Sequence, residues 1–239
     1  MKIIAIGDIH GRTDWKDILA DNSWDKVVFI GDYFDSHEEI SATKQLKNFR
    51  EILRLKRTQP ERVVLLLGNH DFHYLDGAGE QYSGYQYNAS EKINHVLQAA
   101  TKKKMIQIAF LQDQYLFSHA GVTETWMRAQ GYTKDQAPDV FINQQFRENP
   151  ACLGFTLGEN ASVIGDDVTQ TPIWVRPESL LRDALPGYVQ VVGHTEQEKL
   201  SLTNGKVYFI DTLRTSGEWW EAETGLLKRQ NKEKSKLII

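Results

Sequence analysis

The chain has 239 residues, 41% of them hydrophobic, with six Trp, nine Tyr and ten Phe; this excludes a disordered chain and supplies one substantial core, so a single domain over residues 1–230 is expected. A formal charge of −4 excludes a global attraction to nucleic acid or to an anionic membrane and leaves room only for a local basic groove. Cys152 is the only cysteine, so no intramolecular disulfide can form and a reducing compartment is expected.

Met1 and Lys2 lead straight into IIAI, a strand over residues 3–6 far too short for a secretory leader. No apolar run approaches the length of a membrane span, so a cytoplasmic protein without a membrane partner is expected. A short helix over 15–20, a strand over 27–30, a longer helix over 42–57 and a strand over 63–67 follow. Continuous aliphatic and β-branched runs separated by helices indicate buried, largely parallel strands. Each of the three strands ends in Gly and polar residues: GDIHG at 7–11, GDYFD at 31–35 and GNHD at 68–71. Ligands of open α/β sheets collect at the carboxyl ends of strands, so these clusters should converge on one site.

Residues 72–88, FHYLDGAGEQYSGYQYN, are too irregular for a regular element and long enough for an ordered functional loop or lid. Helices are expected over 90–101, 124–130 and 137–147, with strands over 106–111 and 115–118. Lys102, Lys103 and Lys104 close the first of these helices, where cations oppose the helix dipole without any ligand. Residues 148–172 read as loop, with Gly154, Gly158, Gly165 and Pro172. Strands follow over 189–192, 200–202 and 207–210, with a hairpin turn at Asn204-Gly205. The change from alternating α/β to mainly β fits two stacked mixed sheets flanked by helices better than one doubly wound sheet. The end, KRQNKEKSKLII at 228–239, reads as solvated and basic, with the tail beyond the domain over 231–239, and not as a nucleic-acid arm, so no stable nucleic-acid complex is expected.

The strand ends gather Asp8, His10, Asp32, Asp35, Asn69, His70 and Asp71, and two later blocks add His119 in FSHAG and His194 in VVGHT. Singly, each histidine reads as a hydrogen-bonded core or turn residue. Jointly, carboxylate, imidazole and amide oxygen without thiolate suit Mn²⁺, Fe or Zn²⁺. Two such ions about 3.5–4 Å apart, sharing a carboxylate, serve in-line displacement at phosphorus.

In this order, GDIHG, GDYFD, GNHD, SHAG and GHT resemble the signature blocks of the calcineurin-like metallophosphoesterases, specifically the phosphoprotein-phosphatase branch with its compact bacterial and phage members. The resemblance runs from Gly7 to about Asp211 and implies an α/β fold, an αββα sandwich of two mixed β-sheets flanked by helices. It further implies two divalent metal ions, Mn foremost with Fe or Zn as alternatives. Asp8 and His10 would hold the first ion, Asn69, His119 and His194 the second, and Asp32 would bridge them. His70 would be the general acid, oriented by Asp35, and a metal-bridging hydroxide the nucleophile. Asp211 in FIDT would be a partner for a ligand histidine or a plain turn residue.

One position departs from the family pattern. The protein Ser/Thr phosphatases continue the second block as Asp-Arg-Gly, whereas Ser36 and His37 stand here. Phosphoryl chemistry still needs positive donors. Arg176 in IWVRP, which resembles a phosphate-binding block of bacterial members, is the first candidate, Arg12 the second, and His37 a weaker donor or an exposed turn residue. The implied activity is hydrolysis of phosphomonoesters, in the manner of a serine/threonine protein phosphatase. The alternative is a nucleotide-directed hydrolase, a dinucleoside polyphosphate hydrolase or a phosphodiesterase. The partner is then a phosphorylated small molecule, phosphoprotein or nucleotide. A non-catalytic scaffold is a third reading, opposed by the complete ligand set and His70. Tyr74, Tyr82, Tyr85 and Tyr87 either stack on a base or pack the 72–88 loop onto the body.

Overall fold

The computed structural model describes residues 1–159 and 161–223. The basic tail at 231–239 and the end of the expected domain lie outside the described residues. Strand β1 (Lys2–Ile6), helix α1 (Trp15–Asp21), β2 (Lys26–Phe29), α2 (Ala42–Thr58), β3 (Val63–Leu66), the single turn α3 (Asn69–Phe72), α4 (Ser90–Lys102) and β4 (Ile106–Gln107) build the first half. The second half contains β5 (Ala109–Gln112), β6 (Tyr115–Ser118), α5 (Glu124–Ala129), α6 (Pro138–Glu148), α7 (Pro177–Asp183), β7 (Val189–Val192), β8 (Ser201–Thr203), β9 (Val207–Phe209) and β10 (Trp220–Glu223).

Two five-stranded mixed sheets result, ordered β10-β1-β2-β3-β4 and β5-β6-β7-β9-β8. β1 to β4 run parallel and β10 closes that sheet antiparallel to β1. Alternation along β1 and β2 explains why both strands are apolar throughout. Ile3, Ala5, Val28 and Ile30 face the second sheet, meeting Phe117, Val191, Ile210 and Trp220. Ile4, Ile6, Val27 and Phe29 face the opposite way, toward Trp15, Phe49 and Ile52 of the helical layer. Helix α7 covers the outer face of the second sheet, with Leu180 against Val192 and Val207. The αββα layering expected from the sequence is therefore present. No described helix is long and apolar enough to cross a membrane.

Three differences from the expected elements have physical causes. The run 106–111 is not one strand: β4 belongs to the first sheet and β5 to the second, with the fully buried Ile108 between them. Asn143 on α6 fixes this switch, its Oδ1 accepting from the backbone N–H groups of Ile108 (2.8 Å) and Ala109 (3.2 Å) while Nδ2 donates to the Ala109 carbonyl (2.8 Å). Helix α7 starts directly after Arg176, whose extended backbone suits the residue before Pro177. Strand β10 contributes Trp220, which packs edge-on to Tyr115 and Phe117 at ring distances of 5.0 and 5.4 Å.

Candidate active site

The loops after β1, β2 and β3 emerge at one edge and are bonded to each other. His10 N–H donates to the Asp32 carbonyl (2.6 Å) and Gly11 N–H to that of Tyr33 (3.1 Å). Asp71, buried, accepts from the N–H groups of Tyr33 (2.8 Å) and Gly68 (3.0 Å), so it joins the second and third loops and does not face a ligand. From the second sheet, His194 N–H donates to the Asp8 carboxylate at 3.0 and 3.1 Å. The strand-ending glycines make such approaches possible. A Cβ on Gly68 would lie 2.0 Å from Asp32 Oδ1, and one on Gly193 2.0 Å from Asp8 Oδ1. His10, Asp32, Asp35 and His194 all take positive φ, between 43° and 65°. Each such residue costs roughly 1–3 kcal/mol, and the bonds just described hold His10, Asp32 and His194 in place.

The six expected metal-binding residues converge. Asp8, Asp32 and His119 present ligand atoms within 4.8 Å of one another. Asn69 Oδ1 lies 2.9 Å from both His119 Nε2 and His194 Nδ1, and His10 Nε2 is 3.7 Å from Asp32 Oδ2. Each of these three histidines spends its other ring nitrogen on a backbone carbonyl: His10 Nδ1 on Phe34 (2.6 Å), His119 Nδ1 on Ile30 (3.1 Å) and His194 Nε2 on Trp174 (3.1 Å). A carbonyl only accepts, so with the protons on these nitrogens the opposite ring nitrogens turn lone pairs into the cluster, where His119 Nε2 and His194 Nδ1 meet the Asn69 Oδ1 acceptor, the convergence of donor atoms that metal-bound imidazole requires. Burial, against the pull of Asp32, drives the His10 pKa down to about 4, and burial with Arg176 nearby drives that of His194 far below its ordinary value. Neutral rings are the form that binds metal. Burial followed by the charges of Asp211 and Asp32 pushes the Asp8 carboxyl well up. Burial acts the same way on Asp32 but is outweighed by the imidazoles of His119, His70 and His10, which hold that carboxyl low. The cluster thus concentrates carboxylates and lone pairs without a Lys or Arg ion pair inside it, and its donor set fits hard to borderline divalent ions.

Beside it, His70 Nδ1 meets Asp35 Oδ2 at 3.1 Å and its backbone N–H donates to Asp32 Oδ1 (2.9 Å). Burial would lower the His70 pKa, yet Asp32 and Asp35 together raise it. Sequence reasoning missed the rest of the Asp35 environment. Tyr74 Oη donates to Asp35 Oδ1 at 2.6 Å and Gln86 Nε2 at 3.0 Å. His73 Nε2 lies 2.7 Å from Oδ2, as an ion-pair contact off the hydrogen-bond axis. These donors overcome the burial penalty and keep the Asp35 carboxyl below its usual range.

Similarity to known proteins agrees with this geometry. The family model described as calcineurin-like phosphoesterase matches residues 1–195. The chain belongs to that family. Over 171 residues it is 30% identical to a symmetrical bis(5′-nucleosyl)-tetraphosphatase of Janthinobacterium sp. (strain Marseille), covering 63% of this chain and 58% of that one. A second such enzyme, from Sodalis glossinidius (strain morsitans), is 32% identical over 140 residues, covering 53% and 45%. The match therefore spans about half the length of these curated relatives. Among solved structures, a cold-active protein-tyrosine phosphatase of a Shewanella species superposes with a TM-score of 0.61 at 18% identity, covering 93% of this chain and 75% of that one. A Saccharomyces cerevisiae protein serine/threonine phosphatase gives 0.55 at 16%, covering 91% and 70%. At these identities the two structures speak for the fold alone.

In this calcineurin-like chain the metal cluster and His70 open into a cleft of about 400 Å³, also lined by Arg12, Arg176, His37, Asp211, Tyr82 and Trp174. Arg176 Nε donates to the Ile164 carbonyl (2.9 Å) and Nη1 to Thr195 Oγ1 (3.1 Å), which aims the guanidinium along one wall. Arg12, buried on the other side, donates from Nε to Glu38 (2.8 Å) and from Nη1 to the Asp8 carbonyl (3.4 Å). Both arginine candidates thus border the cluster. His37 is exposed at the rim, its ring 5.2 Å from that of His10. Asp211 lines the cleft with its pKa raised to about 6 by burial and by Asp32. Among the described residues no hydrogen bond joins its carboxylate to a ligand histidine, because the backbone carbonyls already occupy that role. Of the four tyrosines, Tyr82 reaches the cleft, Tyr74 is buried on Asp35, Tyr85 stacks on Tyr74 at 4.6 Å and Tyr87 lies exposed against Tyr85.

Proposed function

We propose that the chain is a metal-dependent phosphoric ester hydrolase acting on phosphomonoesters, with two divalent ions, Mn²⁺ foremost, held by Asp8, His10, Asp32, Asn69, His119 and His194. Ions bound there supply Lewis acidity toward the phosphate oxygens and activate water for attack. Asp32 shares its carboxylate between the two halves of the ligand set. Arg176, with Arg12 opposite, grips the non-bridging oxygens in place of the arginine that Ser36 replaces. His70 passes its Nε2 proton to the departing oxygen, and Asp35 fixes the ring and favours the protonated form.

The observation that carries this reading is the His70–Asp35 contact of 3.1 Å beside the metal ligands, with Asp35 fully engaged by its own donors. An alkoxide is a poor leaving group and gains about 10²- to 10⁴-fold from a placed acid. A nucleotide phosphate departs readily without one. A second reading, hydrolysis of a nucleoside polyphosphate, is favoured by the aromatic wall that Tyr82 and Trp174 form at 4.5 Å and by the activity of the curated relatives. A cytoplasmic setting fits the single cysteine under either reading.

A substrate panel on Mn²⁺-loaded protein separates the two. An aryl phosphate, a phosphopeptide, a dinucleoside tetraphosphate and a 2′,3′-cyclic nucleotide are compared at matched concentration. The highest kcat/KM is expected on a monoester. A clear preference for the tetraphosphate moves the chain to the second reading, and no turnover of any of the four returns it to a scaffold.

A further inference from the structure

A second cavity of about 600 Å³ adjoins the cleft, between the loop that precedes α1 and the exposed face of α2. Arg12 and Arg214 line both spaces, so these two guanidinium groups stand where the cavity meets the cleft. The cavity presents five cations, Arg12, Lys16, Lys44, Lys47 and Arg214, against three carboxylates, Asp14, Glu38 and Glu51. That local surplus stands against a formal charge of −4 for the whole chain. The wall is rigid: Asn48 Nδ2 donates to the Arg12 carbonyl (2.7 Å), and Trp15 Nε1 donates to Asn48 Oδ1 (2.9 Å), tying the loop to α2.

The pairing of these cations is uneven. Arg12 meets Glu38, Arg214 meets Glu196 and Lys16 meets Glu51. The side chains of Glu38 and Glu196 are 45% and 40% exposed, so both pairs are screened by solvent and yield easily to a stronger anion. Lys44 and Lys47, exposed and one turn apart on α2, have no ion-pair partner among the described residues. The passage therefore carries two guanidinium groups whose partners can swing into water, followed by Lys44 and Lys47, which form no ion pair among the described residues, although Glu51, already paired with Lys16, also feels the charge of Lys47.

We propose that this groove binds a run of phosphates belonging to the substrate itself, beyond the phosphate that is cleaved. The proposal rests on the second reading above, hydrolysis of a nucleoside polyphosphate in the neighbouring cleft, and it names the substrate class as one with several linked phosphates. Arg12 and Arg214 hold the group next to the scissile phosphate, and Lys44 and Lys47 hold the distal ones as point charges.

The test uses the double variant Lys44→Ala/Lys47→Ala of the Mn²⁺-loaded protein, with inorganic tripolyphosphate and orthophosphate as probes at one fixed free Mn²⁺ concentration. Turnover of 4-nitrophenyl phosphate and inhibition by orthophosphate are expected to stay within about twofold of wild type, because neither reaches α2. Competitive inhibition by tripolyphosphate is expected to weaken at least about tenfold. That difference should shrink at about 1 M salt, where the Debye length falls to about 3 Å. Equal inhibition of the two proteins by tripolyphosphate would overturn the proposal, as would a non-competitive pattern, which places the anion at a separate site. If 4-nitrophenyl phosphate is not hydrolysed, the catalytic reading falls by itself. Calorimetric titration with the Mn²⁺ complex of tripolyphosphate then decides the groove alone, with binding lost in the variant supporting it and binding unchanged overturning it.

Discussion

Asp32 and Asp35 leave the same turn three residues apart, both with left-handed backbone, and arrive in opposite surroundings. Asp35 is complete: Tyr74, Gln86, His70 and His73 all reach its two oxygens. Asp32 has one backbone N–H on Oδ1, while Oδ2 faces the imidazoles of His119 and His10 at 3.4 and 3.7 Å, beyond good hydrogen bonds. Asp8 and Asp211 add further negative charge on that side. One carboxylate is satisfied by the protein, and the other is arranged for cations that the protein does not contain. The comparison teaches how a single sequence block makes two kinds of site. The difference comes from what the rest of the chain brings to each oxygen.

The largest effect should come from breaking the unsatisfied half. Asp32→Asn is expected to lower kcat/KM by about 10³-fold or more and to reduce bound metal below two ions per chain. Unchanged metal content by elemental analysis would remove Asp32 from the bridging role. Next is the satisfied half. His70→Asn should slow alkyl phosphates by about 10²- to 10⁴-fold and aryl phosphates far less, since a good leaving group needs little protonation. Equal losses on the two would show that His70 positions and does not protonate. Arg176→Ala should cost about 10²-fold in kcat/KM, and wild-type kinetics would transfer the phosphate grip to Arg12. The smallest effects sharpen the contrast most. Without metal, Asp8→Asn should raise stability by about 0.5–2 kcal/mol, by relieving the crowding of carboxylates. Asp35→Asn should lower it by about 1–3 kcal/mol, by leaving buried donors unmatched. Urea unfolding in a chelator reads both, and two shifts of the same sign would end the distinction between the crowded side, with Asp8 and Asp32, and the satisfied Asp35.

The metal side was legible in the sequence because each ligand sits at a Gly-marked strand end, and parallel strands deliver their ends to one edge. The layering was legible for a related reason, since strands apolar on both faces must be covered on both faces. The environment of Asp35 was not. His73, Tyr74 and Gln86 come from an irregular segment whose periodicity says nothing about direction, and of the two roles left open for Tyr74, stacking on a base or packing the loop onto the body, the structure shows the second. The switch at Ile108 was equally hidden, because an unbroken apolar run looks the same in one sheet or across two, and its determinant, Asn143, lies 35 residues away. Asp211, read as a partner for a ligand histidine or a plain turn residue, lines the cleft, and which carbonyls the histidines bond is something side-chain patterns do not encode.

The bond from His194 N–H to Asp8 spans 186 residues of sequence. Asp8 precedes its partner by most of the described chain, and β7, whose end carries His194, is the third of the five strands of the second sheet in chain order. Contacts of such long sequence separation are made late in folding. The ligand set therefore cannot assemble on a growing chain, and the ions cannot act as a template for the first sheet. Any ions the cluster holds would enter a framework in which β1 and β7 are already in place with their loops bonded.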